Sequence, residues 1–324
     1  MPHVICPQTI HPDAQAMIRG AQGFTLEILP DRDPATLAAR LPDADALILR
    51  TIRVDEAFLA MCPKLRLLVR HGVGYDIIDV PALTARGIPL TITPEANAAS
   101  VAEHALMLML ACMRKLPAYD ANVRGFVWGA QPGIPAFELA GKTVLVLGFG
   151  RIGTRVARLC AAFGMRVLVR DPFMPKGTIR GAGYEAVDDL AAAVAEADIV
   201  TLHCPSSAAT RGMVDAGFLR AMKRGAVLIN TARGTLVDQM ALEGALREGH
   251  LSAAGLDVFE EEPIEAPIPL LSAPNLIVTP HVAASTQEGL RRMALDSATA
   301  VLTFFEGRLD PDVVVNVEVL KLNR

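Results

Sequence analysis

The chain has 324 residues, enough for about two domains, and 52% of them are hydrophobic, so each domain can bury a core of its own. The formal net charge is −4 and no long basic run occurs, which argues against nucleic acid and acidic membrane surfaces as partners. Five cysteines (Cys6, Cys62, Cys112, Cys160 and Cys204) are scattered, odd in number and without a CxxC pair. That pattern fits reduced thiols in the cytoplasm, and neither a disulfide framework nor a metal site. The opening "MPHVICPQTI" lacks a basic segment followed by an apolar one, so no secretory leader is expected. The most apolar run, "HALMLMLACM" at 104–113, is shorter than the ~20 residues of a membrane span and reads as a buried helix.

The first part of the chain alternates short apolar runs with Ala- and Leu-rich helical stretches. Strands are expected at 3–7, 24–30, 44–50, 65–72 and 88–93. Such alternation builds a parallel sheet with helices on its faces. "NAASVAEHALMLMLACMRKL" (97–116) then reads as one long helix ending before Pro117, with Ser100 as its cap and Glu103 closing a capping box. Residues 124–142 are rich in Gly and Pro and read as loop. A domain switch is placed near residue 100.

A second alternation starts at "KTVLVLGFG" (142–150). Strands are expected there and at 165–171, 197–205, 225–234, 252–260 and 275–281, apolar almost throughout, as in a sheet covered on both faces. A last helix at about 286–307 is expected to pack back on the first domain. The domains are therefore 1–99 with 287–324, discontinuous, and 100–286.

"GFGRIG" (148–153) fits G-x-G-x-x-G between a strand and an amphipathic helix. Gly148 permits the tight turn, Gly150 lets a pyrophosphate approach the backbone, and Gly153 lets helix and strand pack closely. The helix N-terminus offers free N–H groups to the phosphates. The next strand ends in Asp171, at about the 20-residue interval at which an acid meets the adenosine ribose. That carboxylate would repel a 2′-phosphate, so NAD is expected. Arg170 beside it keeps NADP open, although neighbouring strand residues point to opposite faces.

Three polar groups stand at or just past the ends of later apolar runs: Arg233 in "NTARGTLVD", Glu262 in "DVFEEEP" and His281 in "TPHVAAST". Carboxyl ends of parallel strands are where open α/β sheets bind ligands. His281 follows a proline and precedes small residues, an arrangement that gives a ring a fixed backbone and open space.

With these segments the chain resembles the D-isomer-specific 2-hydroxyacid dehydrogenase family, the group that includes D-3-phosphoglycerate dehydrogenases. The resemblance runs through "RHGVGYDIID", "NAASVAEHALMLML", "GKTVLVLGFGRIG", "RDP", "LHCP", "LINTARGTLVD", "GLDVFEEEP" and "TPHVAAST". It implies two doubly wound parallel-sheet domains, a Rossmann NAD-binding domain inserted in a flavodoxin-like substrate domain. It implies an NAD-dependent oxidoreductase moving a hydride between nicotinamide and a D-2-hydroxy acid/2-oxo acid pair, of D-3-phosphoglycerate or hydroxypyruvate/glycerate type.

Arg233, Glu262 and His281 take the family's catalytic positions. His281 would exchange the hydroxyl proton, since imidazole titrates near neutrality. Glu262 would orient it and favour its protonated form. Arg233 would bind the substrate carboxylate as a planar fork. For the cofactor the resemblance implies Gly148, Phe149, Gly150, Arg151, Ile152, Gly153, Asp171, the wall His203–Cys204–Pro205, Thr231, Ala232, and Asp257 at the nicotinamide carboxamide. For the substrate it implies Arg50, Asn97, and a nest of N–H groups at Gly72, Val73 and Gly74. Arg53 stands where phosphoglycerate dehydrogenases tend to have lysine. His104 on the long helix is read as structural.

The family also implies a homodimer, with 117–140 as the contact, and a cleft whose closure expels water. The sequence stops soon after the last helix, so no appended regulatory domain is expected. No metal is expected. Alternatives are an NAD(H)-sensing binding protein of corepressor type and an NADPH-preferring glyoxylate/hydroxypyruvate reductase. Phosphite oxidation fits less well, because "HGVGYD" has no lysine.

Overall fold

The computed structural model describes residues 1–129 and 133–322. In chain order the first strands and helices are β1 His3–Cys6, α1 Pro12–Gly20, β2 Thr25–Ile28, α2 Pro34–Arg40, β3 Ala46–Leu49, α3 Glu56–Ala60, β4 Leu67–Arg70, α4 Val80–Ala85 and β5 Leu90–Thr91. There follow α5 Ala98–Met113, α6 Leu116–Arg124, β6 Thr143–Leu147, α7 Arg151–Ala162, β7 Arg166–Arg170, α8 Lys176–Gly181, β8 Glu185–Ala186, α9 Leu190–Glu196 and β9 Ile199–Leu202. The chain ends with α10 Ala216–Ala221, β10 Val227–Asn230, α11 Gln239–Arg247, β11 Ala253–Leu256, β12 Leu276–Val278, α12 Gln287–Phe305 and α13 Val319–Leu322.

Two units result, Met1–Asn97 with Ser285–Arg324, and Ala98–Ala284. Unit 1 holds a parallel sheet of order β2-β1-β3-β4-β5, the doubly wound order of flavodoxin-like folds. β1, β3, β4 and β5 are largely buried while the edge strand β2 is partly exposed, and α12 covers one face by setting Ala294, Ala298 and Val301 against Val4, Ile48, Leu67 and Val69. Burying a side chain the size of Val301 stabilises by roughly 1.5–3 kcal/mol, and the two alanines add less, which favours the return of the C-terminal helix to unit 1.

Unit 2 holds a parallel sheet of order β12-β11-β10-β9-β6-β7-β8. Numbered from β6, this is the Rossmann order 3-2-1-4-5-6 with one more strand, and the order reverses between β6 and β9. β9, β10 and β11 are buried at every residue, which accounts for their unbroken apolar runs. α5 lies against β10, β11 and α7. It approaches so closely that a Cβ on Gly255 would stand 3.0 Å from the Leu108 side chain.

Three sequence expectations change. Ser100 is not a cap: α5 already begins at Ala98, and Ser100 is buried within its first turn. The helix also does not run to 116. It stops at Met113, Lys115 takes a left-handed φ of 52°, and Pro117 sits in the first turn of α6. Proline is tolerated there because first-turn N–H groups lack helical partners anyway. The two-residue edge strand β8 has too few residues to show a period, and no strand was expected there. The expected loop at 124–142 includes 130–132, which lie outside the described residues. On either side, 125–129 and 133–142 contain no helix or strand.

Candidate active site

The cofactor and catalytic candidates of unit 2 lie in or next to segments that leave the carboxyl edge of one sheet. β6 runs into the glycine turn. Its Gly148 has φ +97, and a Cβ there would lie 2.7 Å from the His203 carbonyl carbon just past β9. Only glycine fits. A Cβ on Gly153 would fall 1.9 Å from the Gly148 carbonyl oxygen, so the first turn of α7 packs on the turn that precedes it. Gly150 faces open space. α7 starts at Arg151, its first N–H groups beside that space.

Asp171, just past β7, ties the turn down. Its Oδ2 accepts the Phe149 N–H at 2.7 Å, and its Oδ1 accepts the N–H groups of Phe173 and Met174 at 2.8 and 3.1 Å. The carboxylate is thus aimed beside the glycine turn and keeps acceptor capacity for hydroxyls. The Phe149 side chain is in the core, edge-on to Tyr184, and Ile152 packs there too, so these two can serve a nucleotide only through backbone.

Two buried polar atoms with no protein partner belong to this region, His203 Nδ1 and Thr231 Oγ1. Buried polar atoms are normally paired, so a bound group that supplies partners here fits the chemistry. Burial pushes the His203 imidazole down to about 3; its Nε2 lies 2.8 Å from Thr201 Oγ1. Cys204 is raised by burial. The glycine cradle, the helix N-terminus and Asp171 together fit a dinucleotide.

The catalytic candidates sit after β10, β11 and β12, which are consecutive in the sheet. Arg233 follows β10. Asn230 holds its loop, donating from Nδ2 to the Arg233 carbonyl at 2.8 Å. The segment rests directly on the β11 loop, because a Cβ on Gly234 would lie 1.8 Å from the Phe259 carbonyl carbon. Glu262 turns back onto that loop and takes the Phe259 N–H on Oε1 at 2.7 Å. Its Oε2 lies 2.5 Å from His281 Nδ1.

Burial pushes the Glu262 carboxyl up, but the hydrogen bonds from His281 and the Phe259 N–H and the charges of His281 and Arg233 outweigh it. The carboxyl is held below its usual range. The bond occupies Nδ1 and leaves Nε2 to face outward. The His281 side chain is 52% exposed, open to a ligand. Its backbone has φ +54. For a residue with a Cβ this left-handed state costs about 1–2 kcal/mol, and such strain clusters at functional positions. Glu260 and Glu261 are exposed.

Asp257, expected at a nicotinamide carboxamide, is 0% exposed, and its carboxylate accepts three protein donors: the Thr279 hydroxyl and the Val282 and Ala283 N–H groups. His104, read as structural, reaches this cluster. Its Nε2 is 2.9 Å from Thr279 Oγ1. Thr279 and His104 both lie in segments that carry the resemblance, but nothing in the sequence signals that they meet, since that depends on the packing of α5 against the sheet. Among the described residues no group of three or more His, Cys, Asp or Glu is arranged to hold a metal ion, and no helix is long and apolar enough to cross a membrane.

In unit 1, Gly72, Val73 and Gly74 follow β4. The expected nest is smaller than supposed: the Gly72 N–H donates back to the Arg70 carbonyl at 2.9 Å. That leaves the Val73 and Gly74 N–H groups without a protein acceptor among the described residues. Arg70, not anticipated from the sequence, shapes the loop by donating to the Gly74 and His71 carbonyls at 2.7 and 2.6 Å. Arg50 follows β3 and, with His71 and Gln15, lines a cavity of about 250 Å3. Burial, and then the Arg50 charge, push His71 down to about 4. Asn97 Oδ1 is buried without a partner.

Fold and site together define a dinucleotide-binding α/β protein with a His–carboxylate pair at the sheet's carboxyl edge. The D-isomer specific 2-hydroxyacid dehydrogenase NAD binding domain profile matches residues 106–283. A D-3-phosphoglycerate dehydrogenase of Mycobacterium bovis is 43% identical over 288 residues, covering 88% of this chain and 53% of that protein. The chain thus spans about half the length of the curated phosphoglycerate dehydrogenase it matches there. A glyoxylate reductase of Aeropyrum pernix is 37% identical across 100% of this chain and 98% of its own length. The crystal structure of D-lactate dehydrogenase from Aquifex aeolicus, complexed with NAD and lactic acid, superposes with a TM-score of 0.86 at 30% identity, covering 97% of this chain and 99% of that one. The chain belongs to the D-isomer specific 2-hydroxyacid dehydrogenase family.

Proposed function

We propose that the protein is an NAD-dependent oxidoreductase interconverting a D-2-hydroxy acid and its 2-oxo acid, with a substrate of the D-3-phosphoglycerate or hydroxypyruvate/glycerate type. The observation that carries this reading is the 2.5 Å contact between His281 Nδ1 and Glu262 Oε2, on a loop neighbouring that of Arg233. When bound, NAD supplies the nicotinamide that takes or gives the hydride.

The chain's own groups do the rest. His281 Nε2 takes the hydroxyl proton in oxidation and returns it to the carbonyl oxygen in reduction. Glu262, ionised and hydrogen-bonded to Nδ1, stabilises the imidazolium that forms and keeps the ring turned outward. Arg233 binds the substrate carboxylate and polarises the carbonyl. Arg50, the Val73 and Gly74 N–H groups and Asn97 are assigned to substrate. Gly148–Gly153, Asp171, His203–Pro205, Thr231 and Ala232 are assigned to the dinucleotide, and Asp171 supports NAD over NADP through repulsion of a 2′-phosphate.

We also assign a homodimer. Leu116, Val123, Phe126, Trp128 and Phe137 are large apolar side chains left 58%, 53%, 98%, 84% and 44% exposed within one stretch. Large exposed apolar side chains gathered in one stretch of the chain support a protein contact there. The free thiols support a cytoplasmic setting.

The test is NADH oxidation, with NADPH in parallel, against hydroxypyruvate, phosphohydroxypyruvate, glyoxylate and pyruvate. The reading expects turnover with NADH on at least one acid, best on hydroxypyruvate or phosphohydroxypyruvate. Tight NADH binding without turnover on any acid would favour the NAD(H)-sensing alternative. A preference for NADPH would overturn the assignment of Asp171.

A further inference from the structure

The Glu262–His281 pair explains where the proton goes, but not what holds His281 in place. Its backbone is left-handed, and its side chain is half exposed, so packing on the ring does not fix it. Instead, groups on both sides of it converge on one buried residue. The His281 N–H donates to the Asp257 carbonyl at 2.8 Å. The N–H groups of Val282 and Ala283 donate to Asp257 Oδ1 and Oδ2, each at 2.9 Å. The Thr279 hydroxyl donates to Oδ1 at 2.6 Å.

His104 completes the set from α5. A hydroxyl has a single proton. With that proton directed at Asp257, Thr279 Oγ1 must accept from His104 Nε2 at 2.9 Å, which makes Nε2 a protonated ring nitrogen. His104 is delivered by a helix whose Ala105, Leu108 and Met109 are fully buried, so its position is that of the sheet itself.

We propose that Thr279 and His104 are positioning residues for His281. They orient the Asp257 carboxylate, and the carboxylate clamps residues 279–283 in the backbone state that turns the His281 ring onto Glu262. The proposal rests on His281 being the acid/base and adds two residues, Thr279 on the same segment and His104 on α5, that act on it through Asp257.

Thr279→Val removes the hydroxyl at nearly constant shape, and Thr279→Ser restores it. Three quantities separate positioning from bulk stability: kcat on a 2-oxo acid, the NADH Kd by fluorescence, and the titration of the His281 imidazole by NMR in the protein without substrate. The valine variant is expected to lose kcat roughly tenfold to hundredfold, the scale set by small misplacements of a reacting group. Its NADH Kd stays put and its His281 midpoint moves, while the serine variant recovers both. His104→Leu is expected to follow the valine variant, and His104→Gln, which can still donate, the serine one. They decide the matter should Thr279→Val fail to fold.

A valine variant with wild-type kcat and an unmoved His281 midpoint would overturn the proposal. So would equal losses in the valine and serine variants accompanied by weaker NADH binding. Absence of turnover in the wild type would instead sink the acid/base reading, and the NMR titration would still decide whether Thr279 positions the ring.

Discussion

The backbones of Gly234 and Phe259 are in direct contact: a Cβ at 234 would lie 1.8 Å from the Phe259 carbonyl carbon and 2.4 Å from the Glu260 nitrogen. This contact seats the Arg233 loop on the loop that carries Glu262. Both approaching atoms are backbone, so nothing flexible can give way. Gly234→Ala should therefore destabilise by at least about 1–3 kcal/mol, and should depress kcat/KM further than its loss of stability explains. Thermal unfolding and kinetics on the same preparation check this. A variant with unchanged Tm and activity would show that the contact is not required.

The glycine turn gives a graded prediction. Gly153→Ala pushes a methyl to within 1.9 Å of the Gly148 carbonyl and should disrupt both the fold of the turn and NADH binding. Gly150→Ala meets nothing within 4 Å. It should fold like the wild type, with Tm nearly unchanged, yet bind NADH at least about tenfold more weakly, because its methyl enters the space assigned to pyrophosphate. Fluorescence titration and Tm together separate the two.

Buried histidines set an acid limit on stability. His203 is pushed down to about 3 and His71 to about 4, both by burial first. The unfolded chain therefore takes up protons that the folded chain refuses. Their stabilising contribution is full above about pH 6.5 and is lost as pH falls from there toward the folded values. For His203 the loss by pH 5 is on the order of 2 kcal/mol, at 1.36 kcal/mol per unit. Denaturant unfolding from pH 7 to pH 4.5 should show a shallower decline in His203→Asn than in the wild type. Parallel declines would contradict it.

Glu262→Gln keeps the shape of the side chain and removes its charge. The folded carboxyl is held below its usual range, so it is ionised throughout the neutral range and stabilises an imidazolium beside it. The amide cannot. The alkaline limb of 2-oxo acid reduction, where protonated His281 is needed, should therefore move to lower pH in the variant. A pH profile of kcat/KM superimposable on the wild type would show that Glu262 does not act through charge.

The local parts of this molecule are legible in the sequence. Gly148, Gly150 and Gly153 are set by spacing within six residues, and Pro280–His281 by neighbours. The alternation of apolar runs reports strands buried on both faces. What escapes is set by contacts distant in sequence. Arg70 folding under its own loop, the burial of Asp257 among donors from 279–283, and His104 reaching Thr279 all depend on how α5 and the strands pack. Pro117 misleads for another reason: proline ends one helix and begins the next equally well, and the left-handed Lys115 that separates them has no side-chain signature.

The most direct test of the account is NADH oxidation by His281→Ala in the presence of a 2-oxo acid that the wild type reduces, with the NADH Kd measured alongside. The account predicts kcat lower by about 10²–10⁴-fold, the usual contribution of a positioned acid/base, with the NADH Kd unchanged. Undiminished turnover in the variant would contradict it.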